Sequence, residues 1–251
     1  MEEQNYQYQN EGVFAQEGSV SKKFFANVFL WMFIALGITS VAAYLFSTNL
    51  ELAAYLRPID PITGRSTMSI LGWVVMLAPL GLIFAMGRGL SRFSYGTILG
   101  AFVLFSFLLG ISLSFTLMRY ELSSVYICFI AAAGIFGTMA FLGYTTDIDL
   151  SKFGPILMVG LVGLVIATII NAFVGSETLY YILSYLGIAI FTALTAYDVQ
   201  KIKRIGLGIE ENGGDIAAAD TKKLVLMAAL SLYLDFINIF IYLLQIFGSR
   251  R

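Results

Sequence analysis

The chain has 251 residues, 59% of them hydrophobic and 12% charged, with a mean hydropathy of +0.84 and a net charge of −1. Soluble domains carry about 25% charged residues, so an ordinary soluble domain is excluded, and there is no basic surplus to suggest a nucleic-acid partner. The sequence holds no histidine and one cysteine, Cys128, which excludes an intramolecular disulfide and a zinc site of the His/Cys type.

Residues 1–21 are polar and carry Glu2, Glu3, Glu11 and Glu17. They predict a disordered tail, unlike a signal peptide, which begins basic and turns apolar. Residues 22–251 form the membrane domain. Seven apolar runs follow, at 24–46, 69–87, 94–118, 123–144, 153–174, 178–202 and 224–247. Each is long enough to cross roughly 30 Å of hydrocarbon as a helix. The fold class is therefore an all-α polytopic membrane protein with seven transmembrane helices. Short links between the second and sixth runs predict antiparallel neighbours. Two links are longer: 47–68 contains Pro58, Pro61 and Gly64, and 203–223 contains Gly206, Gly208, Gly213 and Gly214 and reads as a flexible loop.

A cytoplasmic N-terminus puts Lys22, Lys23, Arg88, Arg92, Lys152, Lys201, Lys203, Arg204, Lys222 and Lys223 on the inner side. Only Arg57, Arg65, Arg119, Arg250 and Arg251 fall outside. The positive-inside rule favours that orientation. Gly96 and Gly100 in the third run, and Gly134 and Gly137 in the fourth, are small-residue pairs expected at close helix contacts. Cys128, inside the fourth run, reads as a small buried hydrophobe.

The seventh run carries one ionisable group at neutral pH, Asp235, near its middle. An ionised aspartate there costs about 2.5–3.5 kcal/mol on insertion scales, so it faces protein or water. Ser231, Asp235, Asn238, Tyr242 and Gln245 follow one another at steps of four, three, four and three, which places them on one helical face. Such a helix is expected to be buried among the others or to border a hydrated cavity. It is the axis of the protein.

Of the 16 acidic residues, only Asp198 and Asp235 lie inside apolar runs. One reading pairs them across the bundle as a proton-sharing dyad: like charges held close in a poorly hydrated interior titrate in two separate steps, near physiological pH. The other makes Asp198 an interfacial acid paired along its helix with Lys201, Lys203 or Arg204. Depth separates the two acids. Asp235 is about 16 Å into its run and Asp198 only a turn or two from the same surface, so they meet only if the helices are tilted or offset. Arg88, at the end of the second run, is the candidate latch, reaching inwards to a carboxylate. Arg92 reads as an ordinary positive-inside residue.

Tyr197-Asp198 followed by Gln200-Lys201-Ile202-Lys203, then Ala229-Leu230-Ser231-Leu232-Tyr233-Leu234-Asp235-Phe236-Ile237-Asn238 and Phe247-Gly248, resembles the Bax inhibitor-1 (transmembrane Bax-inhibitor-motif) family, on its bacterial side. Ser94-Tyr95-Gly96 opening the third helix agrees. The resemblance implies six helices around a central seventh, in a bacterial cytoplasmic membrane. It also implies a pH-regulated calcium leak in which Asp198 and Asp235 are the sensor. Calcium is then a permeant ion, with no tightly bound cofactor. Asp198 and Asp235 touch the cation transiently, and Ser231, Asn238, Tyr242 and Gln245 line its path. Arg88 pairs with the dyad until acid neutralises it and the seventh helix shifts.

Two other functions compete: a non-conducting regulator that binds a membrane protease or other membrane-protein partner, and a proton-coupled transporter. Enzyme readings fail on residues. Neither aspartate sits in a Gly-x-Gly-Asp sequence, GxSG is absent, and HExxH requires histidine. A retinal receptor needs a lysine within the last helix, where the run has none past its start.

Overall fold

The computed structural model of the protein describes residues 19–58, 67–211 and 218–250. Its helices are α1 (Ser19–Thr48), α2 (Leu50–Leu56), α3 (Ile70–Gly89), α4 (Tyr95–Leu117), α5 (Leu122–Thr145), α6 (Gly154–Val174), α7 (Glu177–Glu211) and α8 (Ala218–Phe247), with a 3-10 turn at Leu150–Phe153. All but α2 are long and apolar enough to cross a membrane, which gives the seven spans read from the sequence. Among the described residues there is no strand, only an isolated bridge between Tyr120 and Arg250.

Local chemistry sets the helix ends. Ser69 and Ser94 cap α3 and α4 by accepting from the Gly72 and Thr97 N–H groups, at 3.0 and 3.2 Å. Pro155 occupies the first turn of α6, where its missing N–H costs nothing. Gly175 ends α6 in the left-handed region at φ 68°, a conformation that favours glycine.

The last helix is the centre. In α8, 61% of the most apolar stretch is buried, against 11% in α6. Helices α1, α4, α5 and α7 pack on α8, whereas α3 packs mainly on α4 and α6 mainly on α7. The expected ring of six therefore resolves into four inner helices and two flanking ones.

Four sequence readings need correction. The stretch 203–211, read as loop, continues α7. Ile202, Gly206 and Ile209 extend its buried face, and Gly206 packs against Ser21 and Phe24 of α1. Gly206 is thus a contact residue; Gly213 and Gly214 lie outside the described residues. The 47–68 link contains α2, capped by Asn49 Oδ1 accepting from the Glu51 and Leu52 N–H groups, while Pro61 and Gly64 lie outside the described residues. At the N-terminus α1 begins at Ser19, inside the expected tail, and residues 1–18 are outside the described set.

The small-residue pairs are the fourth correction. Gly96, Gly100, Gly134 and Gly137 all face outwards, and a Cβ built there meets no other helix: only Ser94 Oγ, 3.9 Å from one at Gly96, comes near. Close approach occurs at other glycines. A Cβ at Gly110 would lie 2.6 Å from the Thr39 carbonyl oxygen, Gly143 lies against the Ala196 backbone, and Gly187 under the Tyr242 ring. Spacing alone does not say which helical face a pair occupies. Gly143→Leu is expected to lower the thermal unfolding midpoint in detergent, by an overpacking cost of about 1–3 kcal/mol, while Gly134→Leu leaves it unchanged. Equal midpoints would contradict this packing.

Candidate functional site

The side chains of α8 divide into a buried polar ladder and its apolar surround. Tyr233 is fully buried, and its hydroxyl lies 2.5 Å from Thr39 Oγ1 of α1. Thr39 Oγ1 donates to the Ser106 carbonyl of α4 at 2.9 Å. A threonine hydroxyl has one proton, so Tyr233 is the donor to Thr39, and one chain of bonds ties α8, α1 and α4 together.

Half a turn on, Asp235 is 4% exposed, and its Oδ2 has no hydrogen-bond partner. Asp198, half-buried on α7, lies within electrostatic range of both Asp235 and Lys201. The structure therefore brings the two intramembrane acids into one region. The depth mismatch is resolved by helix length. α7 runs 13 residues beyond Asp198, about 20 Å, so Asp198 is no longer near a helix end. Two of the three alternative ion-pair partners are engaged elsewhere: Lys203 Nζ donates to the Tyr144 carbonyl at 2.8 Å, and Arg204 pairs with Asp149, while Lys201 stays within the field of Asp198. Thr192 Oγ1, also on α7, is a second buried oxygen without a partner.

Towards the opposite end, Asn238, Tyr242 and Gln245 line a cavity of about 670 Å³, together with Asn171, Glu177 and Arg250. Asn238 Nδ2 donates to the Leu234 carbonyl at 2.8 Å, and Gln245 Oε1 accepts from Ser184 Oγ at 2.8 Å. Three of the four expected lining residues thus share one cavity, and Asp235 lies one helical turn beyond Asn238. Ser231 does not line it and is half-buried on the far side of Asp235.

Arg88 is not placed as expected. It follows buried Met86 by two positions, which turns it to the exposed face of α3, and it makes no ion pair among the described residues. The cation that is buried at this end is Lys223, 8% exposed. Its Nζ donates to the Leu90 and Phe93 carbonyls at 3.1 and 3.4 Å and pairs with Asp220 at 2.7 Å. A lysine at a helix C-terminus satisfies carbonyls that the helix leaves open. No sequence signal distinguished Lys223 from its exposed neighbour Lys222. A second clasp binds the turn after α5: Gln200 Nε2 donates to the Ile148 carbonyl, and its Oε1 accepts from the Leu150 N–H, both at 2.8 Å.

Comparison with known proteins bears on this arrangement. The family model described as "Inhibitor of apoptosis-promoting Bax1" matches residues 21–251. The chain belongs to the Bax inhibitor-1 family. Its relatives include an uncharacterised protein of Borreliella burgdorferi, 38% identical, with 94% of this chain and 96% of that one aligned. The inner membrane protein YbhL of Escherichia coli K12 is 35% identical over 91% of this chain and 92% of its own length. An uncharacterised membrane protein of Streptococcus pyogenes serotype M6 is 31% identical, with 95% and 97% aligned. For this Bax inhibitor-1 chain, membership fixes a multi-pass membrane protein and leaves its chemistry to the site.

Asp235→Asn is expected to raise the thermal unfolding midpoint in detergent, because it removes a buried ionisable group that has an unpartnered oxygen. A lowered midpoint would instead make the carboxylate structural. Lys223→Met should lower the midpoint, by about 1–3 kcal/mol for the carbonyls left unpaired.

Proposed function

We propose that the chain is a proton-regulated calcium leak, non-enzymatic, in the bacterial cytoplasmic membrane. The observation that carries this reading is the buried, unpartnered Asp235 oxygen, one turn beyond a cavity bordered by Asn238, Tyr242 and Gln245 and within the field of Asp198. Intramembrane acids are costly, and a site is the default explanation for keeping one. The end that holds Lys201, Lys203, Arg204, Lys222 and Lys223 is the cytoplasmic one by the positive-inside rule, so the cavity opens outwards.

A cation entering the cavity exchanges part of its hydration shell for the oxygens of Asn238, Tyr242 and Gln245. It then reaches the carboxylates of Asp235 and Asp198. Calcium takes six to eight oxygen ligands, more than these side chains offer, which suits a transient contact and no resident metal. Protonating the pair removes the attraction and changes the repulsion inside the bundle. The bias is about 1.4 kcal/mol per unit of differential pKa, so the response to pH is graded. The latch assigned to Arg88 has no contact supporting it and is not part of the proposal.

Calcium flux into liposomes, followed against pH, tests the reading. Asp198→Asn and Asp235→Asn should each flatten the pH response. Unchanged flux and pH response in both variants would overturn the dyad. Absence of flux from the folded wild-type protein, with a co-purifying membrane partner, would favour the non-conducting regulator.

The Asp149–Arg204 clasp provides a control. Arg204, then the Ser151 hydroxyl and N–H, hold the Asp149 carboxyl well below the usual carboxylate range. A depressed folded-state value means that its contribution is present above the ordinary carboxylate value and lost only as pH falls through the depressed one. The clasp is thus intact from about pH 5 to 8. Asp149→Asn should leave the shape of the pH response intact, whatever it does to the amount of folded protein.

A further inference from the structure

The side of α8 turned away from Asp235 borders a second cavity, of about 350 Å³, that conduction does not use. Its floor is Ile237 and Phe240 of α8, and its walls come from Ala43 of α1, Leu113 of α4 and Val125 of α5. At 100° per residue, Ile237 and Phe240 lie nearly opposite Asp235 on the helix.

The cavity exists because α1 and α5 diverge. Near the basic end their rings meet, Phe25 on Tyr144 at 4.8 Å and Phe29 on Phe136 at 6.4 Å between centroids. Towards the other end no such contact bridges them among the described residues, and Phe129 turns inwards onto Phe236 and Phe240 instead. The result is a wedge between two spanning helices, open sideways past Tyr44 and Tyr126, which are 57% and 60% exposed.

We propose that this wedge holds one acyl chain of a diacyl phospholipid drawn from the surrounding leaflet. An empty apolar cleft forfeits dispersion contacts on every wall, and its open side is continuous with the lipid-exposed surface of the bundle. The lining determines the source. It contains no charged residue, so nothing there neutralises the carboxylate of a free fatty acid. Tyr44, Ser47, Thr48 and Tyr126 lie at its outer mouth, while Thr39 and Ser40 lie deeper and Thr39 already bonds to Tyr233 and Ser106. Ser47 and Thr48 donate to the Tyr44 carbonyl, at 3.0 and 2.8 Å, and Tyr44 and Tyr126 flank them. The Ser47 and Thr48 protons are used within the helix, which leaves the phenol hydroxyls of Tyr44 and Tyr126 to donate to a neutral ester, and tyrosines at that depth are typical of the interface between chains and headgroups. From Thr48 down to Thr39 the wedge follows α1 for about 13 Å, far enough for a chain to reach the central helix.

The test uses the full chain in liposomes containing a zwitterionic diacyl phospholipid with a mid-chain diazirine, with mass mapping of the labelled residues. Label should concentrate on Ser40, Val125, Phe129 and Ile237. Ser40→Trp, at an exposed position, should fill the wedge and cut that labelling several-fold while Ile156 and Val159 on α6 label as before. Val125→Trp is a second, independent block. Label spread evenly over the outer helices, or unaffected by either tryptophan in folded protein, would overturn the proposal. So would stronger labelling of the wedge by a diazirine fatty acid at equal concentration. Disulfide-linked dimers of Tyr126→Cys that displace the lipid label would assign the wedge to a second copy and equally overturn it. None of these readouts depends on calcium flux, so this site stands or falls separately from the leak.

Discussion

A carboxylate halfway along a membrane helix must be kept from lipid, and the architecture follows from that requirement. Asp235 is shielded because α8 is enclosed by α1, α4, α5 and α7, with α3 and α6 outside them. Enclosure on all sides needs α8 to be apolar nearly all round, and Tyr233, Phe236, Ile239, Phe240 and Leu244 supply this. The polar side chains that remain are then forced into local solutions. Tyr233 bonds across to Thr39, Gln245 to Ser184, and Asn238 back to its own helix. Asp235 alone in this ladder keeps a buried oxygen with no partner. A group left in that state is one whose protonation the rest of the bundle feels.

Much of this was legible in the residues. Run lengths gave the seven spans, and the four-three-four-three spacing gave both the central helix and its polar face. The spacing succeeded because a helix with one costly charge has few places to go. It failed where the same residue type serves opposite ends. Gly206 and Gly208 look like loop glycines, yet Gly206 allows α7 to lie against α1. Gly96 and Gly134 look like contact glycines, yet they face outwards. A glycine's role depends on what lies opposite it, and that is tertiary information.

The same limit applies to the charges. Arg88 and Lys223 carry equal charge at the same end of the bundle, and sequence position favoured Arg88. Burial chose Lys223, because its helix starts beside the open carbonyls of the turn after α3, whereas Arg88 is rotated away. The Asp198 reading was held back by an underestimated helix. Once α7 is extended to Glu211, Asp198 sits well inside it, and Lys203 and Arg204 turn to the loop after α5.

Lys223 has a mechanical meaning as well. Helix α3 packs mainly on α4, and this ammonium group ties its turn at Leu90–Phe93 to α8. If the first turn of α8 moved, the Leu90 and Phe93 carbonyls would lose their donor together, so the end of α3 and the start of α8 are held as one unit.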